Sequence, residues 1–236
     1  MNKTLVLLAF LVAGCTAPLL QTAPAGVPAE VSAPPIRAGD AWGYMAYDGY
    51  THLPRGQFDY RVESVQDDMV KVERTHEGRA STEFYTRNWA WRERPLTNLP
   101  DLRYQPAIPA LPFPLHAGKT WRSDIQATDP ATGRTYHVRV DGRVLGWERV
   151  RVPAGEFDAL KVERRIYAGN FDFFKTEERI HEYDWYAPQV GAVVRHEGAS
   201  EHTDTSLNCR HADCNIIRGD WIVFELAHVR RGSAGA

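Results

Sequence analysis

The residues whose types and spacing best suit chemistry lie near the C-terminal end, in the segment CRHADC. Cys209 and Cys214 are separated by four residues, His211 lies between them and His202 precedes them. Two thiolates and two imidazoles can bind zinc, although zinc sites usually have better-defined spacings such as C-x-x-C. In an oxidising compartment the two thiols would instead form a disulfide, and free thiols are a third alternative. We expect a Cys209–Cys214 disulfide and no metal site.

The sequence contains none of the short motifs that mark common catalytic sites. It has no G-x-S-x-G elbow, no H-E-x-x-H pair, no G-x-G-x-x-G turn and no P-loop. The pairs His181-Glu182 and His196-Glu197 lie in alternating, strand-like segments, where the i, i+4 metal pair of a helix cannot form. We interpret both pairs as solvated strand faces. We therefore expect no catalytic residue and no cofactor, with a hydrolase whose residues assemble only in three dimensions as an alternative.

The N-terminal residues predict export. Lys3 is followed by the apolar run from Leu5 to Val12, which fits the charged and hydrophobic regions of a signal peptide. The run is too short to cross a bilayer, which takes about 20 apolar residues. We expect residues 1–14 to be a signal peptide that is removed.

The stretch LVAGC, which ends at Cys15, resembles the lipobox of bacterial lipoproteins. The resemblance implies that Cys15 is acylated on its sulfur and on its new amino group. Two or three acyl chains anchor a protein stably where one would not, so Cys15 would attach the chain to a membrane. In this class, an Asp directly after the acylated Cys favours retention in the inner membrane, whereas here Thr16 follows Cys15. The resemblance therefore implies an anchor in the outer membrane, with the domain facing the periplasm. An ordinary signal peptide with an incidental cysteine is the alternative.

The composition divides the rest of the chain into a tether and one domain. Residues 15–38 are rich in Ala, Pro, Thr and Ser and show no bulky apolar periodicity, so we expect a semi-extended tether that buries no core. Residues 39–236 are within the usual size range of a single domain and contain enough apolar and aromatic residues for a core. The prolines of the tether are Pro18, Pro24, Pro28, Pro34 and Pro35.

The charge and hydropathy patterns argue against nucleic acid as a partner and against a membrane-spanning segment. The formal net charge is −2 and the signs are mixed along the chain, with no basic block that would indicate nucleic acid. A second long apolar run is also lacking, so the sequence predicts no membrane span. The expected contact with a membrane is the lipid anchor at Cys15.

The secondary structure is predicted to be almost entirely β. In QFDYRVESV, Phe58, Tyr60 and Val62 alternate with polar residues, which is the period-2 pattern of a half-buried strand. Similar alternation is found in TYHVRVD, ALKVERRIY and WIVFELAHV, and no sustained helical stripe is present. The sequence therefore predicts an all-β fold, an antiparallel meander curled into a barrel, half-barrel or sandwich. Turns between strands are expected at Asp48-Gly49, Glu77-Gly78, Asp141-Gly142 and Gly169-Asn170.

Three further stretches carry a second resemblance. VPAGEFDALKVE, FPLHAGKTW and YDWYAPQVGAVVRHE together resemble a family of bacterial periplasmic and lipoprotein domains of unknown function, sometimes called TapB-like. These stretches are turns and core strands rather than a catalytic set. The resemblance therefore implies an all-β fold and no reaction, and it covers about half of the domain.

Two segments are candidates for binding. The proline-rich stretch from Pro95 to Pro114 is too apolar for a free linker and too rich in proline for a central strand, so we expect it to lie across the sheet. It would be a structural cover or the lip of an apolar pocket. Trp89 and Trp91, in RNWAWRER, are expected to share one strand face and to pack in the core, with an exposed aromatic platform as the alternative.

These observations favour a non-enzymatic, outer-membrane-anchored lipoprotein that acts as a binding or envelope-structural module. Its partner would be an apolar ligand or an envelope protein. A carrier of a lipid or other apolar ligand and an uncharacterised hydrolase are the alternatives. An open apolar concavity of several hundred Å³ would favour the carrier, a filled interior the structural module, and a polar cleft with perturbed carboxylates the hydrolase.

Overall fold

The computed structural model describes residues 19–169, 175–206 and 215–232. Within these residues the regular elements are twelve β strands, which form one closed antiparallel barrel. Each strand pairs with the next along the chain, and β1 pairs with β12 to close the ring. The predicted all-β antiparallel meander is confirmed, and the barrel is the architecture adopted. Across the same residues, no helix has the length and apolarity needed to cross a membrane.

The strands run as follows: β1 (Ala41–Asp48), β2 (Pro54–Gln66), β3 (Met69–His76), β4 (Arg79–Tyr85), β5 (Trp91–Pro95), β6 (Asp101–Ile108), β7 (Thr120–Thr128), β8 (Thr135–Val152), β9 (Gly155–Ala168), β10 (Glu178–Ala187), β11 (Ala192–Thr203) and β12 (Ile216–Arg230). The predicted hairpin turns at Asp48-Gly49 and Glu77-Gly78 join β1 to β2 and β3 to β4. Gly169 follows β9, whereas Asn170 lies outside the described residues.

The predicted turn at Asp141-Gly142 is wrong, because both residues lie inside the long strand β8. Gly142 pairs with Trp121 of β7, and a Cβ atom on Gly142 would overlap the indole ring of Trp121. The glycine therefore makes room for a neighbouring side chain. It does not mark a reversal of the chain.

The proline-rich segment 95–114 is also more regular than expected, since it contains the strand β6 between β5 and β7. The pairing of β6 with β7 runs from Arg103 to Gln105 and ends before Pro106. Because proline has no backbone N–H, a position just beyond the paired residues is one where it costs no ladder hydrogen bond.

The segment before the barrel packs against it, contrary to the expectation that residues 15–38 form a semi-extended tether that buries no core. Leu20 exchanges backbone hydrogen bonds of 2.9 and 2.7 Å with Trp147 of β8, and Val31 exchanges two of 2.8 Å with Leu115. Val31 is buried in an apolar cluster with Leu115 and Trp147. Val31 packs into this cluster as a single apolar residue, although the segment as a whole is rich in Ala, Pro, Thr and Ser. The division of the chain at residues 14 and 38 stays a prediction.

The ends of the barrel strands meet at Asp40, whose carboxylate is buried. It accepts hydrogen bonds from the backbone N–H groups of Arg37 (2.9 Å) and Gly232 (2.8 Å). Asp40 thereby joins the start of β1 to the residues that follow β12, where the ring of strands closes.

Candidate binding site inside the barrel

Part of the barrel interior is an open cavity. A cavity of about 330 Å³ lies between β1–β5 on one side and β10–β12 on the other. On the opposite side, along β6–β9, buried side chains such as Leu102, Ile125, Val138 and Ile166 fill the interior. Nine aromatic residues of the described ranges line the cavity: Trp42, Tyr44, Phe58, Tyr60, Tyr85, Trp89, Trp91, Tyr186 and Phe224.

The aromatic side chains hold one another in edge-to-face contacts. The ring of Trp89 is 5.3 Å from that of Trp42 and 5.5 Å from that of Tyr85, and Phe58 is 5.0 Å from Phe224. Such pairs contribute beyond simple burial and fix ring orientation. The wall is therefore a preformed apolar surface.

Both tryptophans singled out in the sequence contribute to this wall, although they do not lie side by side on one strand as expected. Trp89 precedes β5 in a turn, where it has a left-handed φ of 60°, and Trp91 is the first residue of β5. Trp91 is buried and Trp89 packs against the core. The expected core role is confirmed for both, with the addition that they border a cavity.

A first group of charges, the closed ion cluster, consists of Arg164, Glu182, Asp184 and His196. Arg164 Nη2 is 2.9 Å from Glu182 Oε2, and Arg164 Nη1 is 2.7 Å from Asp184 Oδ2. His196 Nδ1 lies 2.7 Å from the other oxygen of Asp184. These side chains come from β9, β10 and β11, and Arg164 is fully buried.

Asp184 and Arg164 of the closed ion cluster keep their charges. Burial by itself raises the pKa of Asp184, but the Arg164 guanidinium and His196 outweigh it and hold that pKa well below its usual range. For Arg164, burial lowers the pKa, but the neighbouring Asp184 and Glu182 carboxylates raise it by more, so the pKa is raised overall. Asp184 is therefore a carboxylate at neutral pH.

A second group, the open ion cluster, consists of Arg74, Glu83 and Arg94 on β3, β4 and β5. Arg74 Nε is 3.9 Å from Glu83 Oε1 and Arg94 Nε is 3.7 Å from Glu83 Oε2, distances too long for hydrogen bonds. Glu83 is buried and accepts a hydrogen bond from the Tyr85 hydroxyl. The guanidinium groups lie over aromatic rings, that of Arg74 5.0 Å from Phe58 and that of Arg94 4.4 Å from Trp91.

The tyrosines of the wall are neutral hydroxyl groups. Burial, reinforced by Glu83, raises the pKa of Tyr60 to about 12. Burial also raises the pKa of Tyr44 well above its usual range, and its hydroxyl donates a hydrogen bond of 2.8 Å to the Val193 carbonyl. The wall therefore offers aromatic surface with fixed, uncharged polar atoms.

One border of the cavity is formed by the loop after β5. Pro95 and the three residues that follow it line the cavity. The Thr97 hydroxyl donates to Glu182 (2.9 Å), and the Asn98 amide donates to Ser200 Oγ (2.9 Å) and to the Asp220 carbonyl (3.0 Å). Part of the proline-rich segment is thus the lip of a pocket, one of the two roles expected for it.

The sequence-based interpretation of the two His-Glu pairs as solvated strand faces is wrong for one residue of each pair. Glu182 and His196 line the cavity, whereas His181 and Glu197 lie on the opposite faces of their strands and pair with Glu163 and Arg195. Consecutive residues of a strand point to opposite faces, so each pair places one side chain inside the barrel.

Cys15, Cys209, Cys214 and His211 lie outside the described residues, so the anchor and the disulfide stay predictions. His202 is described, and its Nδ1 atom is 3.2 Å from Glu178 Oε2. Among the described residues, no group of three or more His, Cys, Asp or Glu side chains could hold a metal ion.

Comparison with known proteins identifies the fold. No protein-family model matches the sequence. No curated protein matches it either. A crystal structure of a candidate lipoprotein from Parabacteroides distasonis is similar, with a TM-score of 0.50 and 16% identity over 85% of this chain and 99% of that chain. That likeness shows a shared all-β fold.

Two further solved structures are more distant. A candidate exported protein with a YmcC-like fold from Bacteroides fragilis has a TM-score of 0.48 and 14% identity, over 85% of this chain and 100% of that chain. The hypothetical lipoprotein YmcC from Escherichia coli has a TM-score of 0.39 and 10% identity, over 80% and 84% of the two chains.

Proposed function

We propose that this protein is a non-enzymatic binding module that carries a lipid or another small apolar ligand inside its barrel. The observation that carries the proposal is the open, aromatic cavity of about 330 Å³. Small-molecule sites are typically concave, mostly apolar spaces of about 300–1,000 Å³ with a few fixed polar groups. The cavity has these properties, and its walls are preformed by packed aromatic pairs.

The cavity favours a carrier over the two other functions considered. A purely structural module would gain stability from a filled interior, because each void forfeits packing contacts. A hydrolase would need an available carboxylate or an activated hydroxyl group, whereas Glu182 and Asp184 are both paired with Arg164. The Thr97 hydroxyl, which lines the same cavity, donates its hydrogen bond to Glu182 and not to His196.

The proposed location is the periplasmic side of the bacterial outer membrane. The lipobox-like LVAGC stretch and the fold shared with a candidate lipoprotein support a chain that is exported and anchored through acylated Cys15. An anchor at Cys15, only a few residues before the packed segment at Leu20, would keep the barrel near the membrane surface, close to a source of apolar ligands.

Binding of an uncharged dye tests the carrier proposal. N-phenyl-1-naphthylamine fluoresces strongly in apolar surroundings, and we expect it to bind the chain from residue 16 onward, which contains every described element, at one site per molecule. Val193→Trp would place an indole in the cavity and abolish binding. Glu201→Trp, on the outer face of the same strand, is the matched control and should bind as the wild type does.

The experiment has clear adverse outcomes. A folded wild type that does not bind the dye would contradict the proposal. Equal binding by Val193→Trp and wild type would place the dye outside the cavity and would also contradict it. Far-ultraviolet circular dichroism of each variant checks that the barrel is intact.

A further inference from the structure

The two ion clusters in the cavity differ in how completely their charges are partnered. In the closed ion cluster, Arg164 contacts two carboxylates and also donates to the Ala110 carbonyl (3.1 Å). In the open ion cluster, two arginines share one carboxylate at distances of 3.7 and 3.9 Å. Resting on the proposed function, we infer that the ligand is an amphipathic monocarboxylate whose carboxylate binds between Arg74 and Arg94.

The hydrogen-bonding groups of the open ion cluster point to a ligand rich in acceptors. The Nε atoms of Arg74 and Arg94 are buried with no hydrogen-bond partner in the described part of the chain. Glu83 Oε1 is the one buried acceptor atom of this cluster that likewise has no hydrogen-bond partner. Two donors against one acceptor leave an excess of donors, and a carboxylate brings two oxygens that accept hydrogen bonds.

Within the open ion cluster, positive charges outnumber negative charges by one, which favours a ligand that carries a single negative charge. Arg74 and Arg94 carry two positive charges, and Glu83 supplies one negative charge. Of the other carboxylates that line the cavity, Glu182 and Asp184 are paired with Arg164, and Asp220 is paired with Arg55. The phenols of Tyr60 and Tyr85 stay neutral, because burial raises the pKa of both. The open ion cluster, taken by itself, therefore lacks one negative charge.

The two guanidinium groups are placed to receive a carboxylate. Their side chains are 26% and 24% exposed, so they are partly accessible, whereas Glu83 behind them is 1% exposed. Each guanidinium lies over an aromatic ring, Arg74 over Phe58 and Arg94 over Trp91. Stacking restricts the plane of the guanidinium, and a fixed plane favours the two parallel hydrogen bonds that arginine makes to a carboxylate.

The class of ligand follows from the whole cavity. The aromatic wall accepts an apolar body, and the open ion cluster accepts a single carboxylate at one part of that wall. An alkanoate or an arylalkanoate has both parts. An alcohol would satisfy the wall but would offer the arginines a single uncharged acceptor oxygen, and hydrogen bonds to a charged acceptor contribute more binding free energy.

Dodecanoate and dodecanol, which differ only in the head group, test the inference. Each competes with N-phenyl-1-naphthylamine for the chain from residue 16 onward. Because a charged hydrogen-bonded pair contributes more than a neutral contact, we expect dodecanoate to displace the dye at a concentration about tenfold lower than dodecanol.

Removing a positive charge and removing a negative charge should have opposite effects if the open ion cluster is responsible for the preference for dodecanoate. Arg94→Gln should remove the preference for dodecanoate, and Arg61→Gln, on the outer face of β2, should retain it. Glu83→Gln removes the competing negative charge and should tighten the binding of dodecanoate while leaving dodecanol unchanged. If Arg94→Gln does not fold, the Glu83→Gln comparison still decides the question.

The outcomes separate this inference from the proposed function. Dye binding with equal displacement by dodecanoate and dodecanol would overturn the carboxylate site and leave the carrier proposal standing. A preference for dodecanoate that persists in Arg94→Gln and is unchanged in Glu83→Gln would also overturn it. Failure of the wild type to bind the dye would overturn the carrier proposal itself.

Discussion

Arg164 and Glu182 face each other across β9 and β10, with Nε and Nη2 of the arginine 3.1 and 2.9 Å from the same carboxylate oxygen. The two side chains are 0% and 3% exposed. Removing charges from water costs several kcal/mol per ion, and good geometry with further hydrogen bonds is needed to offset that cost. Asp184, Thr97 and the Ala110 carbonyl supply those further contacts.

Replacement of Arg164 should therefore destabilise the barrel strongly. Arg164→Met leaves Glu182 and Asp184 as buried charges without their cation, which typically costs about 3–5 kcal/mol of unfolding free energy. Arg165→Met is the matched control, because Arg165 is the next residue of β9 and its side chain is 56% exposed. Its replacement should cost no more than about 1 kcal/mol.

Urea unfolding at neutral pH measures both changes. Equal, small losses of unfolding free energy in the two variants would show that the closed ion cluster does not hold the barrel together.

The sequence contains a signal for this cluster. In ALKVERRIY, Leu160, Val162 and Ile166 share one face of β9, and Arg164 occupies the same phase of the alternation. A charged residue on the apolar phase of a strand indicates a buried ionic partner. In β10, Glu182 and Asp184 likewise fall on the phase of Ile180. Strand periodicity predicts which residues point inward, but it does not predict which strands bring them together.

Stability should fall in acid partly because of Asp184. Burial raises the folded-state pKa of Asp184, but Arg164 and His196 lower it by more, so the folded-state pKa lies below the unfolded one. The stabilisation is therefore complete above the unfolded pKa of about 3.9 and is lost as the pH falls below it, towards the folded-state pKa. One such group changes the unfolding free energy by at most about 1.4 kcal/mol per pH unit.

Urea unfolding at pH 7, 5, 4 and 3 tests this expectation. Asp184→Asn should be less stable than the wild type at pH 7, and the difference between the two proteins should narrow between pH 4 and pH 3. A constant difference across the series would mean that Asp184 does not titrate below its unfolded pKa.

Cys15 should carry the lipid anchor. Metabolic labelling with a palmitate analogue should tag the wild type, and Cys15→Ala should lose both the label and the membrane association, because two or three acyl chains supply the stable attachment. An unlabelled wild type, together with a Cys15→Ala chain that still fractionates with membranes, is the result that would refute the anchor.

Cys209 and Cys214 should form a local disulfide before β12. Because the loop they close is short, the bond should contribute about 2 kcal/mol, and Cys209→Ser with Cys214→Ser should melt a few degrees lower and be cleaved more readily near His211. Thiol titration of denatured, unreduced protein should find no reactive thiol from this pair. Two reactive thiols, or near-stoichiometric bound zinc, would contradict the disulfide.

The sequence predicted the strand content and the antiparallel order better than the interior. Alternation identifies Phe58 and Val62 as inward residues of β2, and short turns join consecutive strands. Whether twelve strands enclose a filled core or a cavity depends on the tilt and stagger at which the ring closes, and no single segment encodes them. Gly142 illustrates a second limit, because its role depends on Trp121 in another strand.

Native mass spectrometry of the full chain, purified gently from the bacterial envelope and then mixed with N-phenyl-1-naphthylamine, tests the carrier function most directly. The account predicts one small-molecule adduct per chain, either a co-purified ligand that the dye displaces or the dye itself, and predicts that Val193→Trp carries neither. A wild-type chain that shows only its own mass before and after addition of the dye would contradict the proposal that the cavity binds a ligand.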